Sequence, residues 1–304
     1  MTRPELAHPP ADDVVLDDRE PATALDPDLG GAHDPARGRG AGVLSRTLPI
    51  LAAVAGIVVV WYAVTYLVLD PKQRFLLPPP HAVFGRALTT PTVMGPMLDA
   101  LGRTVAVAMT GLVIAVVLGV GQAVVMSQWR FAEKVLYPYA VILQTIPILA
   151  LVPLIGIWMG YGFPARVVVC VIIAVFPMIS NTFFGLQSAS AAAHDLFRLN
   201  RASRAQVLLK LQFPAAVPSI FTGLRNAAGL SVIGAIVGDF FFKQGEPGLG
   251  VLMEVYGQNL RSEQLFGAVI LSSLLGLVVF WAFGFLSRRV IGAWHQTTSD
   301  LVAE

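Results

Sequence analysis

Six stretches of this chain run for about 20 residues or more with little or no charge, and no other property narrows its possible folds so far. A helix needs about 20 apolar residues to cross the hydrocarbon core of a bilayer. Inside that core every backbone N–H and C=O must be satisfied within the segment, which selects helices over isolated strands. Leu48 to Leu69 supplies 22 residues without a charge, and Thr104–Trp129 and Val135–Ala165 are longer. Val167 to about Leu186 follows Arg166 and a turn-prone Tyr161–Arg166 segment. A fifth run, about Pro218 to Phe242, contains Arg225 and Asp239, and the sixth, Gln264 to Ser287, is uncharged. Composition agrees: 13% of the 304 residues are charged, where a soluble domain carries about 25%, and the mean hydropathy is +0.69. We therefore expect an all-α polytopic membrane protein. Its six transmembrane helices are expected at about 48–69, 104–127, 136–159, 165–186, 218–242 and 264–287, in a domain over 46–292.

The ends are a different material. Residues 1–45 hold nine acidic residues and six prolines with few large apolar side chains. Such a segment buries too little apolar surface to offset its ordering entropy, so a disordered tail is expected there, and a short tail over 293–304. No short apolar region opens the chain in the manner of a secretory signal. Lysine and arginine fix the expected orientation. With the N-terminus inside, the tail, Arg130–Lys134, Arg198–Arg225 and Arg288–Arg289 carry 14 of the 21 basic residues. Both termini are thus expected on the cytoplasmic side of a bacterial cytoplasmic membrane, with the triple proline at 78–80 outside.

Little points to catalysis. The single cysteine, Cys170, lies in an apolar run and reads as a buried thiol; it excludes an internal disulfide and a cysteine-rich metal site. The five histidines, at 8, 33, 81, 194 and 295, fall outside the apolar runs without metal-ligand spacing. No G-x-x-x-x-G-K-[ST] phosphate loop occurs, and Gly245–Gly250 reads as a turn. A net charge of +2 gives no sign of a nucleic-acid partner. No metal, no cofactor and no enzymatic activity of the chain's own are expected.

Within this apolar chain, the segment 187–217 is basic. Arg198, Arg201 and Arg204 recur every three residues, a spacing that places them on one helical face, while Leu196, Leu199, Val207, Leu208 and Leu211 occupy others. Short amphipathic helices at the membrane surface are expected, with Pro214 and Pro218 at a turn into the fifth span. Two readings stand: a basic loop lying on anionic membrane lipid, or a cytoplasmic surface gripped by a partner.

The segment resembles the EAA loop of ATP-binding cassette importer permeases, in particular the nitrate/sulfonate/taurine type with a MetI-like fold. That family's pattern runs roughly G-A-S-R-W-Q, then L-P-A-A-x-P, then G-L-R. Here Arg201-Ala202-Ser203-Arg204-Ala205-Gln206 is followed by Phe213-Pro214-Ala215-Ala216-Val217-Pro218 and by Gly223-Leu224-Arg225. Other marks stand in order: Leu77-Pro78 with Val83, Pro147 and Pro153 before Trp158–Gly162, Pro177 with Asn181-Thr182 and Gly185-Leu186, and Gly248-Leu249-Gly250. The likeness covers about 45–290. Three departures fall in the loop itself: its acidic residue is Asp195, its two small residues are Leu196 and Phe197, and its glycine is Arg201.

The resemblance implies a type I importer permease whose coupling helices dock a separate cytoplasmic ATPase dimer through Asp195, Arg198, Arg201, Ala202, Ser203 and Arg204. It implies ATP and magnesium on that partner, a second permease copy as homodimer or paralogue, and a periplasmic or lipid-anchored substrate-binding protein. The cargo class is a small polar solute, anionic or heteroaromatic. Polar residues inside spans tend to face an interior, so Gln144, Ser180, Asn181, Asn226, Ser231 and Asp239 are candidates for the translocation pathway, each with helix–helix hydrogen bonding as the plain alternative. Arg225 and Asp239 lie about 21 Å apart along one helix, too far to pair, and should snorkel to opposite faces. Gly156 and Gly160 read as a close-packing pair. A proton-coupled secondary transporter using Asp239 is the rival reading.

Overall fold

A computed structural model of the chain describes residues 41–300, with side-chain surroundings over 48–290 except Ile50. The expected tails lie outside the described residues, apart from helical backbone at 41–45 and 293–300. In chain order the helices are α1 (Ala41–Ala63), α2 (Pro80–Val83), α3 (Pro91–Gln128), α4 (Arg130–Thr145), α5 (Ile148–Met159) and α6 (Phe163–Leu186). They continue as α7 (Ala191–Leu199), α8 (Arg204–Val207), α9 (Phe213–Phe241), α10 (Leu249–Gln258) and α11 (Ser262–Asp300). Wider i→i+5 turns prolong α1 over Val64–Val68 and α2 over Phe84–Leu88, and join α8 to α9 over Leu208–Gln212. No strand occurs among the described residues. Five helical segments are long and apolar enough to cross a membrane: Leu51–Val68, Pro91–Gln128, Phe163–Leu186, Arg204–Phe241 and Ser262–Val290. With α4 and α5 taken as one broken span, the number is six.

Two expectations about these spans need correction. The third, expected as one span over 136–159, is two helices bent by 99°. The cause is Pro147: the residue before a proline is driven out of the helical region, and Ile146 is extended at φ −65°, ψ 128°. The fifth does not begin with a turn at Pro214 and Pro218, because the chain is helical from Arg204 to Phe241. Pro214 stands in the first turn of α9, where its missing N–H costs least, directly after the wider turn Leu208–Gln212. Segment 187–217 is therefore only partly a loop.

The core is made by α3, α6 and α9, whose facing sides are small. Ala108, Ala115, Ala174, Ala227, Ala228 and Ala235 are buried there. Gly111 and Gly234 abut Cys170; a Cβ on Gly234 would lie 2.7 Å from the Cys170 Cα. Small side chains let helix backbones approach where lipid offers no hydrophobic drive for association. Cys170 is a buried free thiol, as expected, and its Sγ donates to the Ser231 carbonyl at 3.2 Å. Gly156 and Gly160 serve differently from expectation. Gly156 faces the Tyr161 ring, and Gly160 ends α5 at φ 77° with open space beside it. Neither brings two long helices together.

Candidate functional site

The segment between α6 and α9 is a corner made of two short helices. α7 opens on Ser190, whose Oγ accepts from the Ala193 N–H at 3.3 Å. It closes in a Schellman arrangement: the Arg201 N–H donates to the Arg198 carbonyl at 2.9 Å, and the Ala202 N–H to the Phe197 carbonyl at 3.0 Å. That closure requires left-handed backbone at the residue after the cap, which usually selects glycine. Here Arg201 takes it, at φ 51°. α8 then starts on a capping box, with the Gln206 N–H donating to Ser203 Oγ at 3.3 Å and the Ser203 N–H to Gln206 Oε1 at 2.8 Å. Gln128 at the end of α3 donates to Gln212 Oε1 at 3.1 Å, which holds the segment against the bundle.

Because α7 stops at Leu199, Arg198, Arg201 and Arg204 do not share a helical face as expected. Arg198 belongs to α7, Arg201 to the corner and Arg204 to α8. Arg198 and Arg204 nevertheless meet at one cleft of about 430 Å³, with His194, Arg130 and Glu133. Asp195 Oδ1 lies 3.7 Å from Arg198 Nη1, both side chains well exposed, and such a pair is worth little. Ala202 is half-buried and Ser203 is taken up in the capping box. No residue of α7 is buried, and Leu196 and Leu199 are 57% and 83% exposed. α7 is thus an amphipathic helix that leaves Leu196 and Leu199 exposed, with Ala193, His194 and Phe197 partly covered.

At the other end of α6 and α9 lies a polar knot that sequence reading missed. Asp239 and Arg166 are almost fully buried, with Thr104 beside them. Arg166 Nη1 stands 3.0 Å from Asp239 Oδ1, a buried ion pair. The guanidinium N–H groups go to carbonyls of the connection after α9: Nη2 donates to Phe242 at 2.6 Å and Gln244 at 3.0 Å, and Nη1 to Glu246 at 3.0 Å. Thr104 donates to Asp239 Oδ2 at 2.8 Å and accepts from the Leu249 N–H at 2.9 Å. Gly248 and Gly250 pack on Asp239, leaving no space for a side chain at either. Arg103 adds an ion pair with Glu246. Three helices and the Gly245–Gly250 connection are fastened by one buried charge pair.

The six pathway candidates divide. Asp239 is internal, and so is Ser231, whose Oγ donates to the Ala228 carbonyl at 2.8 Å. Both are pathway candidates that packing between α3, α6 and α9 buries, in line with the alternative of helix–helix hydrogen bonding. Ser180 and Asn181 are half-buried and donate to the Pro177 carbonyl, Asn181 at 2.8 Å. Gln144 is exposed beside a cavity of about 300 Å³ at the α4–α5 break. Asn226 lines one of about 840 Å³ between α6, α9 and α11. Both cavities have Pro177 and Leu230 in their walls. Arg225, expected to snorkel, has its Cζ 3.8 Å from the Phe280 ring centroid.

Residues 111–292 match the family described as binding-protein-dependent transport system inner membrane component. The chain is 32% identical over 224 residues, 74% of its length and 88% of the relative's, to the formylaminopyrimidine transport permease protein ThiX of Halalkalibacterium halodurans. It is 29% identical to the nitrate import permease protein NrtB of Synechocystis sp., over 79% of this chain and 88% of that one. To the taurine transport system permease protein TauC of Escherichia coli it is 25% identical, over 83% and 92%.

Proposed function

Since the chain belongs to the family of binding-protein-dependent transport system inner membrane components, we propose that it forms the membrane pathway of an importer driven by a separate cytoplasmic ATPase. The permease role itself, in an ATP-binding cassette system for a small solute, comes with the family. What we add is the assignment of its parts. The α7–α8 corner, with Asp195, Arg198, Arg201, Ala202, Ser203 and Arg204, is the coupling element that an ATPase dimer holds; Mg-ATP binds on that dimer and not on this chain. The observation that carries this is the exposed apolar pair Leu196 and Leu199 on amphipathic α7, set on a corner fixed by a Schellman closure and a capping box. A face bearing Leu196 and Leu199 in open solvent is costly unless something covers it.

The remaining parts follow from that placement. Both termini then lie in the cytoplasm, and the Arg166–Asp239 knot lies at the outer face. A second permease copy packs about a two-fold axis, and a periplasmic or lipid-anchored binding protein delivers the solute. Gln144 and Asn226, on either side of Pro177 and Leu230, are the best-placed pathway residues. The cargo is a small polar solute, anionic or heteroaromatic, in line with relatives named for nitrate, taurine and formylaminopyrimidine transport.

The test is reconstitution of the complete transporter in vesicles, with ATP hydrolysis and solute uptake measured together. Asp195→Ala and Arg204→Ala should leave the permease inserted and the ATPase turning over while uptake falls several-fold. Unchanged uptake in both variants would remove the docking assignment. Uptake that survives without ATP but collapses with the proton gradient would remove the importer.

A further inference from the structure

We infer that the cavity between α6, α9 and α11 is an oxyanion site whose cationic wall is the Arg225 guanidinium. Arg225 stands within α9, about 18 Å along the helix from Phe213 and about 24 Å from Phe241 at 1.5 Å per residue. The other charged groups inside α6 and α9 are Arg166 and Asp239, and they compensate one another. Arg225 has no carboxylate partner among the described residues. It lies over Phe280, and Gly284 leaves it room: a Cβ there would sit 3.3 Å from Nε. A charge within a span is expensive unless it faces water, a cavity or a counter-charge. Arg225 is exposed, and it faces a cavity of about 840 Å³.

The chemistry of the walls says which ligand suits it. A cation over one ring face still has its N–H fork free, and that planar fork fits the paired oxygens of a carboxylate, sulfonate or phosphate. Asn226 lines the same cavity, and its amide makes no hydrogen bond among the described residues. Ser272 and Ser273 also line it, but both hydroxyl protons go to the Val269 carbonyl at 2.8 Å. The free donors are therefore Arg225 and Asn226. No carboxylate among the described residues lines the cavity, so a cationic ligand finds no counter-charge there. The rest of the wall is largely apolar, Ile233 and Leu277 among it, which suits an oxyanion carrying a short alkyl group or an acyl chain. Two sources share that chemistry: a small anionic solute in transit, which rests on the importer reading, and the headgroup of an anionic lipid, which does not.

The full-length chain in phosphatidylcholine nanodiscs provides the test, by its thermal unfolding midpoint during titration with methanesulfonate and, as a neutral control, dimethyl sulfone. Methanesulfonate should raise the midpoint and dimethyl sulfone should not. Arg225→Gln should weaken half-saturation about tenfold or more, the scale of a lost charge-assisted hydrogen bond, and Asn226→Ala should weaken it less. If only nanodiscs containing phosphatidylglycerol raise the midpoint, and Arg225→Gln abolishes the rise, the site stands and its ligand is a lipid headgroup. If neither probe stabilises the wild type more than Arg225→Gln, the inference is overturned. Should Arg225→Gln fail to insert, Asn226→Ala carries the test, and an unchanged half-saturation there overturns the shared site. These measurements involve neither ATP nor a partner, so their failure leaves the permease assignment intact.

Discussion

Arg201 and the Arg166–Asp239 pair are opposite outcomes of a residue in an awkward place. Arg201 occupies a left-handed corner that costs an L-residue with a Cβ roughly 1–2 kcal/mol per residue, whereas glycine would make the same two Schellman hydrogen bonds without that cost. Arg201→Gly should therefore raise the unfolding midpoint, by about 2–4 °C per kcal/mol for a chain of this size, while Arg201→Val should lower it. Arg166 and Asp239 are costly singly and compensated together. Removing one partner of a buried pair typically costs about 3–5 kcal/mol, because the other charge is left uncompensated. Arg166→Met and Asp239→Asn should each lower the midpoint sharply, and the double variant should lose clearly less than the two losses added. Additive losses would mean the two side chains act independently. The sequence shows Asp239 near the end of its span and Arg166 before another, but it shows each charge only against its own neighbours. Nothing local marks two residues so far apart as a pair.

Among the elements, what can be read from sequence is what depends on local composition. The apolar runs at 104–127, 165–186 and 264–287 fall within α3, α6 and α11 because charge marks their ends. The α4–α5 break was hidden by hydropathy, which is blind to backbone direction, although Pro147 was there to be read. Pro214 and Pro218 mislead the other way, since a helix can accept proline in its first turn or beside a wider one. α10 was missed because ten residues after a glycine-rich connection give too short a pattern. That connection bears a sharp prediction. A Cβ at Gly248 would overlap the Asp239 carboxylate, so Gly248→Ala should force the connection off its seat. The expected result is a lower yield of folded, detergent-stable protein, together with new protease cleavage between residues 242 and 250. Gly245→Ala, which meets open space but holds φ 85°, should cost only the backbone strain.

At the scale of the whole molecule, the membrane class and the family follow from features spread along the chain: the shortage of charge, the repeated apolar runs and an ordered set of short motifs, none decisive alone. The cavity beside Arg225 was not legible, because it exists only where α6, α9 and α11 come together. The knot where α6 begins and α9 ends also has a consequence for the order of synthesis. Arg166 leaves the ribosome some 70 residues before Asp239, which at about 5–20 residues per second is a delay of roughly 4–14 s. During that interval Arg166, near the start of α6, has no Asp239 to pair with. Chains stopped at residue 200 should therefore be turned over rapidly in a pulse-chase experiment, and chains stopped at residue 260 should persist. Equal lifetimes would mean that α6 is stable in lipid before its counter-ion is made. A longer life for the 260-residue chain would mean that the pair fastening the finished protein also marks a checkpoint in its making.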